Sequence, residues 1–130
     1  EKARLLGEYI GLCFQIKDDI FDYYDNLSIG KPTGNDMLEG KLTLPALYAL
    51  NTTGDTQAAE WARKVKSSIA TTDEIASLVE FTKQHGGIDH ATKVMYDLKA
   101  KAVALIPADV DLEIREALIA YLDYVVDRSL

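Results

Sequence analysis

Three aspartates fall within five residues of this 130-residue chain, and their spacing suits the binding of a metal ion. Asp18, Asp19 and Asp22 would lie within about 100° of one another around a helix, because each helical residue turns by about 100°. Like charges on one helix face are destabilising, and no basic residue lies within this acidic stripe. Mg²⁺ is commonly held by one or two carboxylates together with substrate phosphates. We therefore predict a Mg²⁺ site in which Asp18 and Asp22 reach one ion or its water shell and Asp19 orients water.

The segment that follows the aspartates is rich in glycine and carries two lysines. Gly30, Gly34 and Gly40 permit tight backbone turns and the close approach of a ligand. Lys31 lies nine residues past Asp22, within reach of a ligand bound at the carboxylates. A lysine beside Mg²⁺ suits the binding of a diphosphate. The alternative is a polar surface turn whose lysines are solvated.

One long helix, predicted over about residues 5–24, must position the aspartates. Apolar residues cover most of its remaining surface: Tyr9, Ile10, Cys13, Phe14, Ile16, Ile20, Phe21 and Tyr24. A helix that is apolar over most of its circumference is largely buried, so the acidic stripe should face a narrow strip of solvent or an internal cavity. For the three aspartates taken alone, the solvated face of an ordinary amphipathic helix stays open as an alternative.

Helical spacing dominates the rest of the chain, and no strand-like alternation persists. Five further helices are predicted, with these approximate bounds: from Pro45 to a break at residues 51–54; residues 58–69, with Asp55 as N-cap; from Thr71 or Thr72 to residues 86–87; residues 88–105; and from Asp109 or Asp111 almost to the end. The predicted fold is all-α, an antiparallel bundle of about six helices joined by short loops.

The composition is that of an ordinary globular protein, and it excludes some classes of partner. Hydrophobic residues make up 48% of the chain and charged residues 27%, enough for a core in one domain. The net charge of -7 and the lack of a basic cluster argue against a nucleic-acid partner. The single cysteine, Cys13, permits no disulfide within the chain, and no apolar run is long enough for a transmembrane segment. We expect a cytoplasmic protein.

Three motifs resemble those of the trans-isoprenyl diphosphate synthases, the polyprenyl synthetase family, in the same order and at the same spacing. They are GLCFQIKDDIFDY at residues 11–23, GKPTGND at residues 30–36 and EGKLTLP at residues 39–45. The first resembles the family's FQxxDDxxD helix, and the others resemble its GKPxGxD loop and EGKxTLP segment. Looser similarities lie at residues 86–88 and 124–128. The whole chain, residues 1–130, resembles the C-terminal portion of a single polyprenyl synthetase domain whose N-terminal helices are missing.

The resemblance implies a role for most residues of these motifs. Asp18, Asp19 and Asp22 would bind Mg²⁺ directly or through water. Asp18 and Lys31 would be catalytic, since they would act on the departing diphosphate of the allylic substrate. The residues implied in substrate binding are Gln15, Lys31, Lys41 and Arg128, of which the last would approach isopentenyl diphosphate.

The implied fold is the all-α prenyltransferase bundle around a deep cavity, and the implied reaction is prenyl transfer. An allylic diphosphate ionises, its carbocation adds to the double bond of isopentenyl diphosphate, and a proton is lost. The family's first aspartate-rich motif does not occur in this chain. We therefore expect this chain alone to be inactive, and we expect a homodimer from the family's usual assembly.

Two other functions stay open at this stage. A terpene cyclase would share the helical bundle and an aspartate-rich helix, but its usual second motif, an Asn/Ser/Glu metal triad, is not evident in this chain. A non-catalytic subunit of a heteromeric prenyltransferase would be expected to have degraded aspartates, whereas Asp18, Asp19 and Asp22 are all present.

Overall fold

Every regular element in the described part of the chain is an α-helix. The structure is a computed structural model, and it describes residues 1–24 and 33–128. The helices within these ranges are α1 Lys2–Phe21, α2 Asn35–Leu38, α3 Leu44–Thr53, α4 Thr56–Lys66, α5 Thr72–Gln84, α6 Gly87–Ala104 and α7 Leu112–Asp127. The predicted all-α fold is confirmed. The helix that sequence reasoning missed is α2, which has only four residues and therefore no periodic pattern of its own.

Side-chain caps begin three of the helices where the sequence predicted them. The Asp55 carboxylate accepts a hydrogen bond at 2.8 Å from an amide in the first turn of α4. Thr71 and Glu74 form a reciprocal capping box at the start of α5, with bonds of 3.1 and 2.8 Å. Asp111 accepts an amide hydrogen bond at 2.8 Å at the start of α7. These starts are readable from sequence because a cap and its partners lie within a few residues of each other.

Several helix ends differ from the prediction, and α4, for example, ends at Lys66 rather than near Ile69. Helix α1 ends at Phe21 rather than near Tyr24, and a turn follows it. Helix α3 continues to Thr53, so of the predicted break at residues 51–54 only the last residue lies outside the helix. The residue that ends α3 is Gly54, whose φ of 62° lies in the left-handed region that glycine adopts without strain.

The chain divides into two compact units, and the division falls inside α1 and inside α6. One unit comprises Asp19–Ala91. In it α5 packs against α3 and α4, and α2 packs against α4. Its core consists of these buried side chains: Tyr23, Met37, Ala46, Ala49, Ala58, Ala62, Val65, Ile75, Leu78, Val79 and Phe81.

The other unit comprises Glu1–Asp18 and the chain from Thr92 onward, so it joins most of α1 to most of α6 and to α7. The Cys13 thiol donates a hydrogen bond to the Met95 carbonyl at 3.5 Å, which links α1 to α6. Lys99 forms an ion pair with Asp123, which links α6 to α7. Its buried side chains are Cys13, Ile16, Met95, Ala102, Ile106, Leu122, Val125 and Val126.

The apolar faces of α1 and α7 are covered only in part. On α1, Cys13 and Ile16 are buried as predicted, but Phe14 is 41% exposed. On α7, Leu122 is buried, whereas Tyr121 is 48% exposed. No helix within residues 1–24 and 33–128 combines the length and the hydropathy needed to cross a bilayer.

Replacement of Gly87 by alanine should destabilise the unit of Asp19–Ala91. An added Cβ would lie 2.4 Å from the Pro45 carbonyl oxygen and 2.6 Å from Thr82 Cγ2. Thr82 is fully buried, so neither neighbour can move aside easily. We expect Gly87→Ala to lower the free energy of unfolding by about 1–3 kcal/mol, measured by urea denaturation.

The matched control is Gly7→Ala in α1. No described atom lies within 4 Å of the added Cβ there, and alanine favours a helix interior by about 1 kcal/mol. Equal urea midpoints for the two variants would show that α6 does not approach Pro45 as closely as described.

Candidate functional site

The three aspartates of the acidic motif lie where α1 ends. Asp18 and Asp19 belong to the last turn of the helix, and Asp22 is the first residue after it. Their environments differ sharply. The Asp18 side chain is 43% exposed, whereas Asp19 and Asp22 are 8% and 4% exposed. The three carboxylates that the sequence placed on one acidic stripe are therefore not equally accessible: one is exposed to solvent and two are buried.

Asp18 is paired with Arg128, which lies at the C-terminal end of α7. The guanidinium Nη2 donates to Asp18 Oδ1 at 2.8 Å and to the Phe14 carbonyl at 3.1 Å. Its Nε donates to the Val125 carbonyl at 3.3 Å, and the guanidinium carbon lies 4.1 Å from the centre of the Phe14 ring. Arg128 is only 17% exposed. The sequence singled out Arg128 as a substrate contact, and the structure adds that it already holds the first aspartate of the motif.

Asp22 binds backbone amides of the segment that leads into α2. One carboxylate oxygen accepts the Asn35 amide at 3.0 Å, and the other accepts the Asp36 amide at 3.1 Å. The Asp22 carbonyl accepts the Gly34 amide at 2.8 Å. Three consecutive amides are thus bound by one residue. Sequence reasoning missed this role, and a separation of 13 residues carries no pattern that would reveal it.

Tyr23 fixes the next turn of chain to the start of α3. Its ring is 2% exposed, and its hydroxyl shares a hydrogen bond of 3.4 Å with the Thr43 hydroxyl. Burial raises the pKa of Tyr23 to about 12, so the phenol is neutral at physiological pH. Asp22 and Tyr23 together attach the end of α1 to residues 34–36 and to Thr43.

The structure gives fewer contacts for the other residues that were predicted to bind substrate. Gln15 is exposed on α1, three residues before Asp18. Lys41 is 66% exposed and lies 3.8 Å from the Glu39 carboxylate, and its amide donates to the Asp36 carbonyl at 2.8 Å. Lys31 lies outside the described residues.

The donor chemistry at the end of α1 suits a hard divalent cation. Within residues 1–24 and 33–128, no three His, Cys, Asp or Glu side chains converge in a group that could hold a metal ion. Mg²⁺ does not require such a group, because it keeps several waters and takes other oxygen ligands from substrate phosphates. The accessible carboxylate of Asp18 offers the oxygen ligands that Mg²⁺ prefers. Metal binding by Asp18, Asp19 and Asp22 stays a prediction.

Comparison with known proteins points to one family. Residues 1–82 match the family model of the polyprenyl synthetases. Among curated proteins, the chain is 33% identical over 124 residues to an octaprenyl diphosphate synthase of Haemophilus influenzae. That match covers 95% of this chain but 37% of the relative, so the chain spans well under half the length of the relative.

Solved structures give the same result. A geranylgeranyl pyrophosphate synthase from Bacteroides thetaiotaomicron is 61% identical, with a TM-score of 0.91 over 98% of this chain and 41% of that one. A polyprenyl synthase from Caulobacter crescentus, complexed with calcium and isoprenyl diphosphate, is 32% identical with a TM-score of 0.82. The match covers 100% of this chain and 40% of the Caulobacter chain.

Breaking the pair between Arg128 and Asp18 should destabilise the unit that contains both. Because Asp18 is partly exposed, we expect Arg128→Gln to lower the free energy of unfolding by about 1 kcal/mol, measured by urea denaturation. The control is Arg63→Gln, which removes an ion pair with Glu60 of which both members are well exposed, and it should change stability very little.

A double-mutant cycle isolates the pair itself. Asp18→Asn and Arg128→Gln should be non-additive, because each change removes the same interaction. Strict additivity of the two changes would mean that the 2.8 Å contact contributes nothing in solution.

Proposed function

The chain belongs to the polyprenyl synthetase family, and from that membership we propose that the protein containing it is a prenyltransferase of isoprenoid biosynthesis. It would condense isopentenyl diphosphate with an allylic diphosphate to make a longer trans-polyprenyl diphosphate. The observation that carries the proposal is the accessible Asp18 carboxylate in the last turn of α1, within a motif of the family that residues 1–82 match.

The residues of this chain would act on the diphosphate of the allylic substrate. Asp18, Asp19 and Asp22 would hold Mg²⁺, directly or through water. When bound, the ion stabilises the negative charge that develops on the diphosphate as it leaves. Lys31 would add a second positive charge to the same group, and Gln15 would help orient the acidic motif.

The proposed prenyl transfer needs no redox cofactor. The C–O bond of the allylic diphosphate breaks, and the diphosphate leaves with the electron pair. The allylic carbocation adds to the double bond of isopentenyl diphosphate, which forms the new C–C bond, and loss of a proton restores a double bond. Water must be kept from the cation, which the residues of an apolar cavity would accomplish. Lys41 and Arg128 would assist substrate binding.

This chain covers less than half of each of these two relatives, which bears on whether the chain is active by itself. The chain matches 37–41% of the octaprenyl and geranylgeranyl synthases, so we propose that it is the C-terminal portion of one polyprenyl synthetase domain. Alone it would be inactive, because the remaining catalytic groups would lie elsewhere in the longer protein. A homodimer and a cytoplasmic location stay predictions from the family resemblance and from the composition.

The proposal predicts that Asp18→Ala abolishes most of the activity of the full-length protein. The assay measures transfer of labelled isopentenyl diphosphate to an allylic diphosphate, with Mg²⁺ and with a chelator. Loss of one group that stabilises the leaving charge should lower kcat by about 100-fold or more. The 130-residue chain run beside it should show no transfer.

The matched control is Asp89→Ala, which removes an exposed aspartate from the first turn of α6. It should leave kcat unchanged. The prenyltransferase proposal fails if the full-length protein is inactive with every allylic primer, or if Asp18→Ala is as active as the control. The terpene cyclase hypothesis or the non-catalytic subunit hypothesis then replaces it.

A further inference from the structure

Asp22, the last aspartate of the acidic motif, has an environment unlike that of a metal ligand. It is 4% exposed, and each of its carboxylate oxygens accepts a backbone amide at 3.0 or 3.1 Å. A carboxylate that binds two backbone amides in this way is held in a fixed orientation. We propose that Asp22 is a positioning residue, whose carboxylate fixes residues 34–36 to the end of α1 instead of coordinating the metal directly.

Three successive amides contribute to this attachment. Besides the Asn35 and Asp36 amides on the carboxylate, the Gly34 amide donates to the Asp22 carbonyl at 2.8 Å. Helix α2 has only four residues and no side-chain cap of its own at Gly34. Asp22 therefore supplies from 13 residues upstream the acceptors that a local cap would otherwise provide.

The same segment is held from its other side by α5. Gly34 has a φ of 75°, and a Cβ added there would lie 2.8 Å from Ile75 Cγ2 and 3.4 Å from Val79 Cγ2. Both of these side chains are buried in the core of their unit. Residues 34–36 thus lie between Asp22 and α5, and there is no room for a side chain at Gly34.

The attachment also continues towards Lys41. The Asp36 carbonyl accepts the Lys41 amide at 2.8 Å, so the backbone from Gly34 to Lys41 is tied to the end of α1 through Asp36. Under the proposed function, on which this step rests, Asp22 would set where Lys41 meets the substrate diphosphate.

Hydrogen exchange and metal binding separate the two roles without any need for activity. In the full-length protein, Asp22→Asn replaces one acceptor oxygen with an NH₂ donor that cannot bind an amide N–H. Exchange in peptides covering residues 34–38 should become about tenfold faster. The dissociation constant for Mn²⁺ without substrate, read by electron paramagnetic resonance, should change by less than about twofold, because no direct ligand is lost.

The matched variant is Asp18→Asn. It should weaken Mn²⁺ binding and leave exchange at residues 34–38 as in the wild type, because Asp18 pairs with Arg128 and the Asn35 and Asp36 amides bind Asp22. If Asp22→Asn weakens Mn²⁺ binding as much as Asp18→Asn does, while exchange at 34–38 is unchanged, Asp22 is a ligand and the proposal is overturned.

A second variant tests the same joint without touching a carboxylate. Gly34→Ala forces the segment away from Ile75 and is strained at a φ of 75°. It should raise the KM for the allylic diphosphate by about tenfold while the Mn²⁺ affinity stays at the wild-type value. An unchanged KM in a folded Gly34→Ala protein would overturn the link between the joint and substrate binding. If the protein proves inactive with every primer, the proposed function fails alone, because exchange and Mn²⁺ binding still decide the role of Asp22.

Discussion

A cluster of carboxylates at the end of one helix is stable only if positive or hydrogen-donating groups face it. The described residues contain two such arrangements. The Arg128 guanidinium lies on Asp18, and the amides of Asn35 and Asp36 lie on Asp22. Both offset like-charge repulsion: Arg128 brings a full positive charge to Asp18, and the two amides bring partial positive charges to Asp22. Much of the local structure around the end of α1 follows from these two solutions.

The two arrangements leave the aspartates with unequal chemistry. Amide hydrogen bonds to Asp22 persist only if the backbone of residues 34–36 stays in place, and the lack of space at Gly34 beside Ile75 enforces this. A guanidinium on a partly exposed side chain is easier to displace, because water and ions can replace it. Asp18 is therefore the most accessible of the three carboxylates, a difference from Asp22 that the sequence did not indicate.

How much was predictable depends on how far apart in sequence the interacting groups lie. The caps at Asp55, Thr71 and Asp111 act over two or three residues; the sequence predicted Asp55 outright and offered Thr71 and Asp111 as one of two starts each. The family motifs were equally readable, because they are runs of adjacent residues. The pair of Asp18 with Arg128 spans 110 residues, and no periodicity or composition signals it.

Errors in the prediction have similar physical causes. The break expected over residues 51–54 was placed too broadly because local propensity is weak, and Gly54 is the residue that ends α3 because it alone in that stretch adopts a positive φ. Phe14 lies on the apolar surface of a helix that was expected to be largely buried, but it is partly exposed and its ring lies against the Arg128 guanidinium. The Arg128 guanidinium lies over the Phe14 ring while its Nη2 donates to Asp18, so the apolar residue helps to place the charge. Binary patterning assigns such a residue to the core because it reads apolarity alone, whereas at the end of α1 an aromatic ring also supports a charged group.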